Sequence, residues 1–129
     1  MRDGTITGMA QNKHLLIIED DTDMMEIMTA ILEKDGYSVS GIAGADDIVR
    51  TVLEQQPDLV ITDYILEVIN GGEYCSQLKS NPLTRQIPVM IVSGYPNVLT
   101  SLGNYGADEV IYKPFDNADL SARVAALLA

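Results

Sequence analysis

Cysteine is almost absent from this sequence. The lone thiol, Cys75, has no partner for an intramolecular disulfide and no second thiol with which to build a cysteine-based metal site. Histidine is as scarce: His14 alone excludes a multi-histidine metal cluster and any mechanism needing two imidazoles, and its place at the edge of the first apolar run gives it an ordinary structural reading. No apolar run approaches the roughly 20 residues of a membrane-spanning helix, and the first thirteen residues lack the charged start and apolar stretch of a secretory signal. Basic residues are few, 8 against 19 acidic ones, which leaves a net charge of −11. Such a field opposes approach to nucleic acid or to an anionic membrane face and favours a cation or a basic partner. With one thiol and no export signal, the expected location is the cytoplasm.

What the chain does have is enough apolar material for one core. Its 129 residues fit a single domain that buries roughly two-thirds of the surface of the unfolded form. A hydrophobic share of 47% beside 21% charged residues is far from the disordered class, so no staple is needed. Residues 1–13 show no sustained periodicity and read as a flexible leader, which leaves 14–129 as the domain. Short apolar runs then recur between turn residues: Leu15 to Ile18, Leu59 to Ile61, Val89 to Val92, and Val110 with Ile111, with a weaker strand over Tyr37 to Gly41. Runs of this kind suit strands covered on both faces.

Helical patterns separate the strands. Met24, Ile27, Met28 and Ile31, widened by Leu32, follow helical spacing, with Asp23 and Glu26 as a capping pair and Gly36 as a left-handed stop. Ile48, Val49, Val52 and Leu53 form the inward stripe of a second helix that ends before Pro57. A third is predicted from Gly72 to Lys79, a short fourth from Pro96 to Tyr105, and a last one from about Asp116 with Leu120, Val124, Leu127 and Leu128 on one side. Five alternations of strand and helix predict an open, doubly wound parallel sheet with right-handed crossovers and helices on both faces. In such folds the loops at the carboxyl ends of the strands make the functional crevice.

The predicted strand ends deliver polar groups to that crevice: Glu19-Asp20-Asp21 after the first strand, Asp63 at the third, Ser93 at the fourth, and Lys113-Pro114 after the fifth. Carboxylates brought to about 5 Å repel by roughly 3 kcal/mol per pair at an effective dielectric near 20, so positive charge must sit among them. Lys113 supplies one charge, and a hard divalent cation that keeps several waters, such as Mg²⁺, supplies more. Taken singly, Asp20, Asp21 and Asp23 are equally good helix caps, Ser93 before Gly94 is an ordinary turn residue, and Lys113 an ordinary surface lysine. The argument rests on the set occurring in order at consecutive strand ends.

The runs LLIIEDD (Leu15 to Asp21), LVITD (Leu59 to Asp63) with Gly71 after it, IPVMIVSG (Ile87 to Gly94) and GADEVIYKPF (Gly106 to Phe115) make the chain resemble the receiver domains of bacterial two-component response regulators, over nearly everything from Lys13 to Ala129. The resemblance implies a flavodoxin-like (CheY-like) three-layer α/β/α fold with strand order 2-1-3-4-5. It also implies a phosphoacceptor at Asp63, Mg²⁺ held by Glu19, Asp20, Asp63 and the backbone carbonyl of Ile65, a phosphoryl-binding hydroxyl at Ser93 and a phosphate-pairing lysine at Lys113. The implied donor is a phosphohistidine on a sensor kinase or phosphotransfer domain, and the implied listener a downstream protein or fused output domain. The chain then works as a signalling switch that catalyses its own phosphorylation and slow dephosphorylation, not as a metabolic enzyme.

Several positions depart from the family pattern. Glu19 replaces the commoner Asp, and Glu67 replaces a proline, which frees the loop from Tyr64 to Asn70. Val68 and Ile69 make that loop apolar, a docking surface or a chance exposure. Val110 stands where the family has a switching aromatic and has no ring to move; Tyr95, Tyr105 or Tyr112 is left to replace it, Tyr112 being on the same side of the strand. Ile65 and Tyr95 stand where water access is controlled and predict a slowly hydrolysed phosphoaspartate.

The alternative is a receiver-like module that binds partners constitutively. An aspartyl phosphatase would need an acid at Ile65, and a flavin-binding loop would not carry Glu19, Asp20 and Asp21. No basic helix-turn-helix pattern accompanies the domain, so direct binding to DNA is not expected.

Overall fold

A computed structural model describes residues 12–66, 69–95 and 105–129. The apolar runs form strands β1 (His14–Ile18), β2 (Ser38–Ile42), β3 (Leu59–Asp63), β4 (Val89–Ser93) and β5 (Glu109–Tyr112). They pair in parallel, in the order β2-β1-β3-β4-β5. The reversal of direction between β1 and β3 opens the crevice where the sequence placed it.

Because successive side chains in a strand point to opposite faces, each buried run feeds two cores. Leu16, Ile18, Val60 and Ile91 join Ile48 and Val52 of α2 (Ile48–Gln55) and Tyr74, Cys75 and Leu78 of α3 (Gly71–Ser80). Leu15, Ile17, Ile61, Met90 and Ile111 pack on the other face against Met28 and Leu32 of α1 (Thr22–Lys34) and Leu120 and Val124 of α4 (Asn117–Leu128). Each fully buried Leu or Ile contributes about 1.5–3 kcal/mol, so the sheet is held from both sides.

The helix starts and faces differ in detail from the sequence expectation. Asp21, not the Asp23–Glu26 pair, caps α1, accepting the N–H groups of Asp23 and Met24. Ile27 does not enter the core: the stripe of α1 is centred on Met28 and Leu32, flanked by Met25 and Ile31, and Ile27 is left exposed at its edge. Leu53 turns outward for the same reason, lying beyond the arc of Ile48 and Val52. Asp47, Asn70 and Asp116 cap the other helices through their side chains. Gly36 and Gln56 take the left-handed stops after α1 and α2. The Lys13 carbonyl, just before β1, accepts the N–H of Ser38. The predicted fourth helix falls on residues 96–104, and Glu67 and Val68 on 67–68; both lie outside the described residues. Ile69 packs partly against the core and does not extend an apolar surface.

Candidate functional site

The carboxyl edge of the sheet forms a cleft of about 450 Å³ lined by Glu19, Asp20, Asp21, Asp63, Ile65, Gly94, Tyr95 and Lys113. Its geometry comes from backbone stitches that continue the ladder one residue past each strand. Tyr64 N–H donates to Val92 O at 2.8 Å, and Lys113 N–H donates to Ser93 O at 2.8 Å. Gly71 seats the first turn of α3 directly behind Asp63: a Cβ there would collide with the Asp63 carbonyl oxygen and with Oγ1 of Thr62.

Lys113 sits between two acids. Its Nζ is 3.2 Å from Oδ1 of Asp63 and 4.0 Å from Oε1 of Glu19. Both carboxyl groups are buried, Glu19 at 3% and Asp63 at 5% exposure, so water cannot screen them. Burial pushes the Glu19 carboxyl up to about 7; the Asp21 N–H on Oε2, at 3.2 Å, works against that rise, and the charge of Asp63 adds to it. The Asp63 carboxyl is also raised by burial, opposed by Lys113. Oε1 of Glu19 is buried and accepts no hydrogen bond among the described residues. An orphaned, buried carboxylate oxygen facing a lysine and a second carboxylate is a place where a hard cation fits. The donors are oxygens, which suits Mg²⁺, but the cluster is not preassembled: among the described residues no three acidic, His or Cys side chains are gathered closely enough to hold an ion by themselves.

The remaining sequence candidates are placed unevenly. Asp20 lines the cleft and is half-buried, while Asp21 is taken up as the cap of α1. Ile65 and Tyr95 stand at the mouth, 51% and 55% exposed. Ser93 is fully buried, and its Oγ accepts the N–H of Tyr95 at 2.9 Å, a bond that uses a lone pair of the hydroxyl and not its proton. Val110 packs toward the α2–α3 core, whereas Tyr112, two residues on, is exposed. The reading of single residues missed Tyr64 and Thr62, both buried beside Asp63; their only signal was adjacency to it.

A doubly wound parallel sheet with an acidic, lysine-bearing cleft at its topological switch point defines a class of phosphate-handling signalling domains. The comparisons with known proteins give the family. The sequence matches the response regulator receiver domain over residues 15–125, and the chain belongs to that family, the receiver domains of two-component signalling. It is 32% identical, over 120 residues, to the DNA-binding dual master transcriptional regulator RpaA of Synechocystis sp., covering 88% of this chain and 48% of that protein. The chain spans about half the length of the curated relatives it matches. Among solved structures, the receiver domain of a signal transduction histidine kinase from Syntrophus aciditrophicus is 34% identical, with a TM-score of 0.80 and coverage of 90% and 89% of the two chains. The receiver domain of a sensor histidine kinase from Pseudomonas aeruginosa, solved with a magnesium ion in its active site cleft, shares the fold at a TM-score of 0.82 and 21% identity, covering 91% of this chain and 98% of that one.

Proposed function

We propose that Asp63 is the phosphoacceptor of a receiver domain that takes a phosphoryl group from a phosphohistidine on a sensor kinase or phosphotransfer partner in the cytoplasm. The observation that carries this reading is the ion pair of a buried Asp63 with Lys113, in a cleft shared with Glu19 and Asp20. A carboxylate oxygen of Asp63 attacks phosphorus in line, and the phosphorus–nitrogen bond breaks with its electrons going to the departing imidazole. The Lys113 ammonium neutralises charge on the phosphoryl oxygens, and the Ser93 hydroxyl, still accepting from Tyr95, donates its proton to one of them; catalysis is positioning and charge stabilisation. Glu19, Asp20, Asp63 and the Ile65 carbonyl would hold Mg²⁺. When bound, the ion supplies the charge neutralisation that a single lysine cannot.

Beside the cleft, and sharing Lys113 with it, a groove of about 470 Å³ is lined by Met24, Ile27, Pro114, Phe115 and Asn117. It gives the phosphoryl donor an apolar seat next to the acceptor. Incubation with Mg²⁺ and acetyl phosphate tests the reading: intact mass gains one phosphoryl group in the wild type and none in Asp63→Ala. An unmodified wild type would return the chain to the constitutive binding module, the reading that Val110, with no ring to switch, favours.

A further inference from the structure

The residue after Asp63 ties the end of β3 to two neighbours. Tyr64 donates its N–H to β4, and its carbonyl accepts the N–H of Gly71 at 2.8 Å. Because Gly71 is pressed against the Asp63 carbonyl, the main chain at Asp63 cannot shift without disturbing Tyr64 and the first turn of α3.

The Tyr64 side chain is buried in the α2–α3 core, where its ring centroid lies 6.1 Å from that of Tyr105 and the two hydroxyl oxygens are 3.3 Å apart. Tyr105 leads into β5 through unusual backbone: its φ is 61°, and Gly106 follows at 84°. A non-glycine residue holds such a conformation only when its surroundings fix it, and strain of this kind collects in switch regions. Among the described residues, two contacts stand out beside its packing against the core. The ring of Tyr105 lies over Gly72, where any Cβ would come within 2.5 Å of it, and its hydroxyl meets Tyr64. At 3.3 Å the hydroxyl contact is long for an O–H···O bond, so it is the weaker of the two and the first to yield.

We propose that Tyr64 and Tyr105 carry the state of Asp63 to the chain leading into β5. The inference rests on Asp63 being the phosphoacceptor. Loading Asp63 redirects its carboxylate, the Asp63–Tyr64 peptide follows, and the Tyr64 hydroxyl leaves Tyr105. Freed of that tie, Tyr105 relaxes from its left-handed backbone, and Gly106 and Ala107 move with it.

Amide spectra of ¹⁵N-labelled protein in Mg²⁺, before and after beryllofluoride as a phosphoryl mimic, test this on the wild type, Tyr64→Phe and Tyr105→Phe. Phenylalanine keeps the ring and its packing and removes only the hydroxyl. Gly94 and Lys113 report loading of the cleft, and Gly106 and Ala107 report the far end. In the wild type both pairs of resonances shift. In each variant Gly94 and Lys113 shift as before, while the shifts at Gly106 and Ala107 shrink by half or more because the unloaded variants already lie toward the loaded positions. Full-sized shifts at Gly106 and Ala107 in Tyr64→Phe, or fixed resonances there in a loaded wild type, overturn the proposal. Should Gly94 and Lys113 also stay fixed in the wild type, the phosphoacceptor reading falls and the coupling with it.

Discussion

At the amino edge of the sheet Asp58 and Asp108 are both answered. Asp58 Oδ2 accepts the N–H of His14 at 2.8 Å while its own N–H returns to the His14 carbonyl at 2.7 Å, and the His14 ring lies between the hydroxyls of Ser38 and Ser40. Asp108 holds Lys79 at 2.7 Å and also accepts the N–H of Val89. At the carboxyl edge, two acids share Lys113, and Glu19 keeps a buried oxygen without a hydrogen bond among the described residues. The same sheet thus ends in one rim whose buried charges are paired and another where two buried carboxyl groups crowd a single lysine.

The contrast is sharpest in Asp63→Asn against Asp108→Ala. The first abolishes phosphoryl uptake from acetyl phosphate and leaves thermal stability equal or higher, because a buried charge is removed. The second leaves uptake intact and lowers stability by about 2 kcal/mol in urea titration, since it strips a half-buried ion pair and an N–H acceptor together. The reverse pattern would erase the distinction between the two rims. Next in size, the wild-type acyl phosphate decays over minutes or longer because Ile65 and Tyr95 wall the mouth. Opening it with Tyr95→Ala speeds the loss on the order of tenfold, about 1.4 kcal/mol of barrier. Decay of the wild-type mass adduct within seconds would contradict this.

Smaller but more diagnostic is the pH dependence of the metal-free protein. The Glu19 carboxyl titrates near 7 in the fold and near 4.5 in its ordinary state, so between those values the folded form binds the extra proton. Stability from this group is therefore present below about pH 4.5 and lost as pH rises to about 7, with the raised Asp63 adding in the same direction. Glu19→Gln flattens the slope. Added Mg²⁺ restores more stability at pH 8 than at pH 5, because ion and proton compete for one carboxylate. Urea titrations across pH, with and without Mg²⁺, measure both effects. The slightest expected signal lies away from either rim. Cys75 is buried in the core beneath α3, which pushes its thiol up to about 11, so thiol reagents label the native protein at pH 8 only as fast as it opens.

The sheet was legible because four of its strands are continuous apolar runs whose register follows from parallel pairing, and the acids and lysine were legible because strand ends are marked by where those runs stop. The edges of elements were less so. Helical spacing does not say which side of a stripe of four or five residues is central, so Ile27 and Leu53 were placed inward although they border it. A cap depends on backbone angles, and Asp21 and Asp23 are equivalent until those are known. That Ser93 spends its acceptor on Tyr95, and that Tyr64 meets Tyr105 across 41 residues, are tertiary facts with no periodic signature.

The Lys113 amide hangs on the carbonyl of Ser93, as the Tyr64 amide hangs on that of Val92. Spacing across the cleft is therefore fixed by the hydrogen-bonded separation of neighbouring strands, about 4.8 Å, rather than by the sizes of the side chains packed beneath. Core residues can be exchanged for others of similar volume without retuning the chemistry. A transplanted output surface, or a wholly redesigned interior, would inherit Lys113 and Asp63 already at pairing distance.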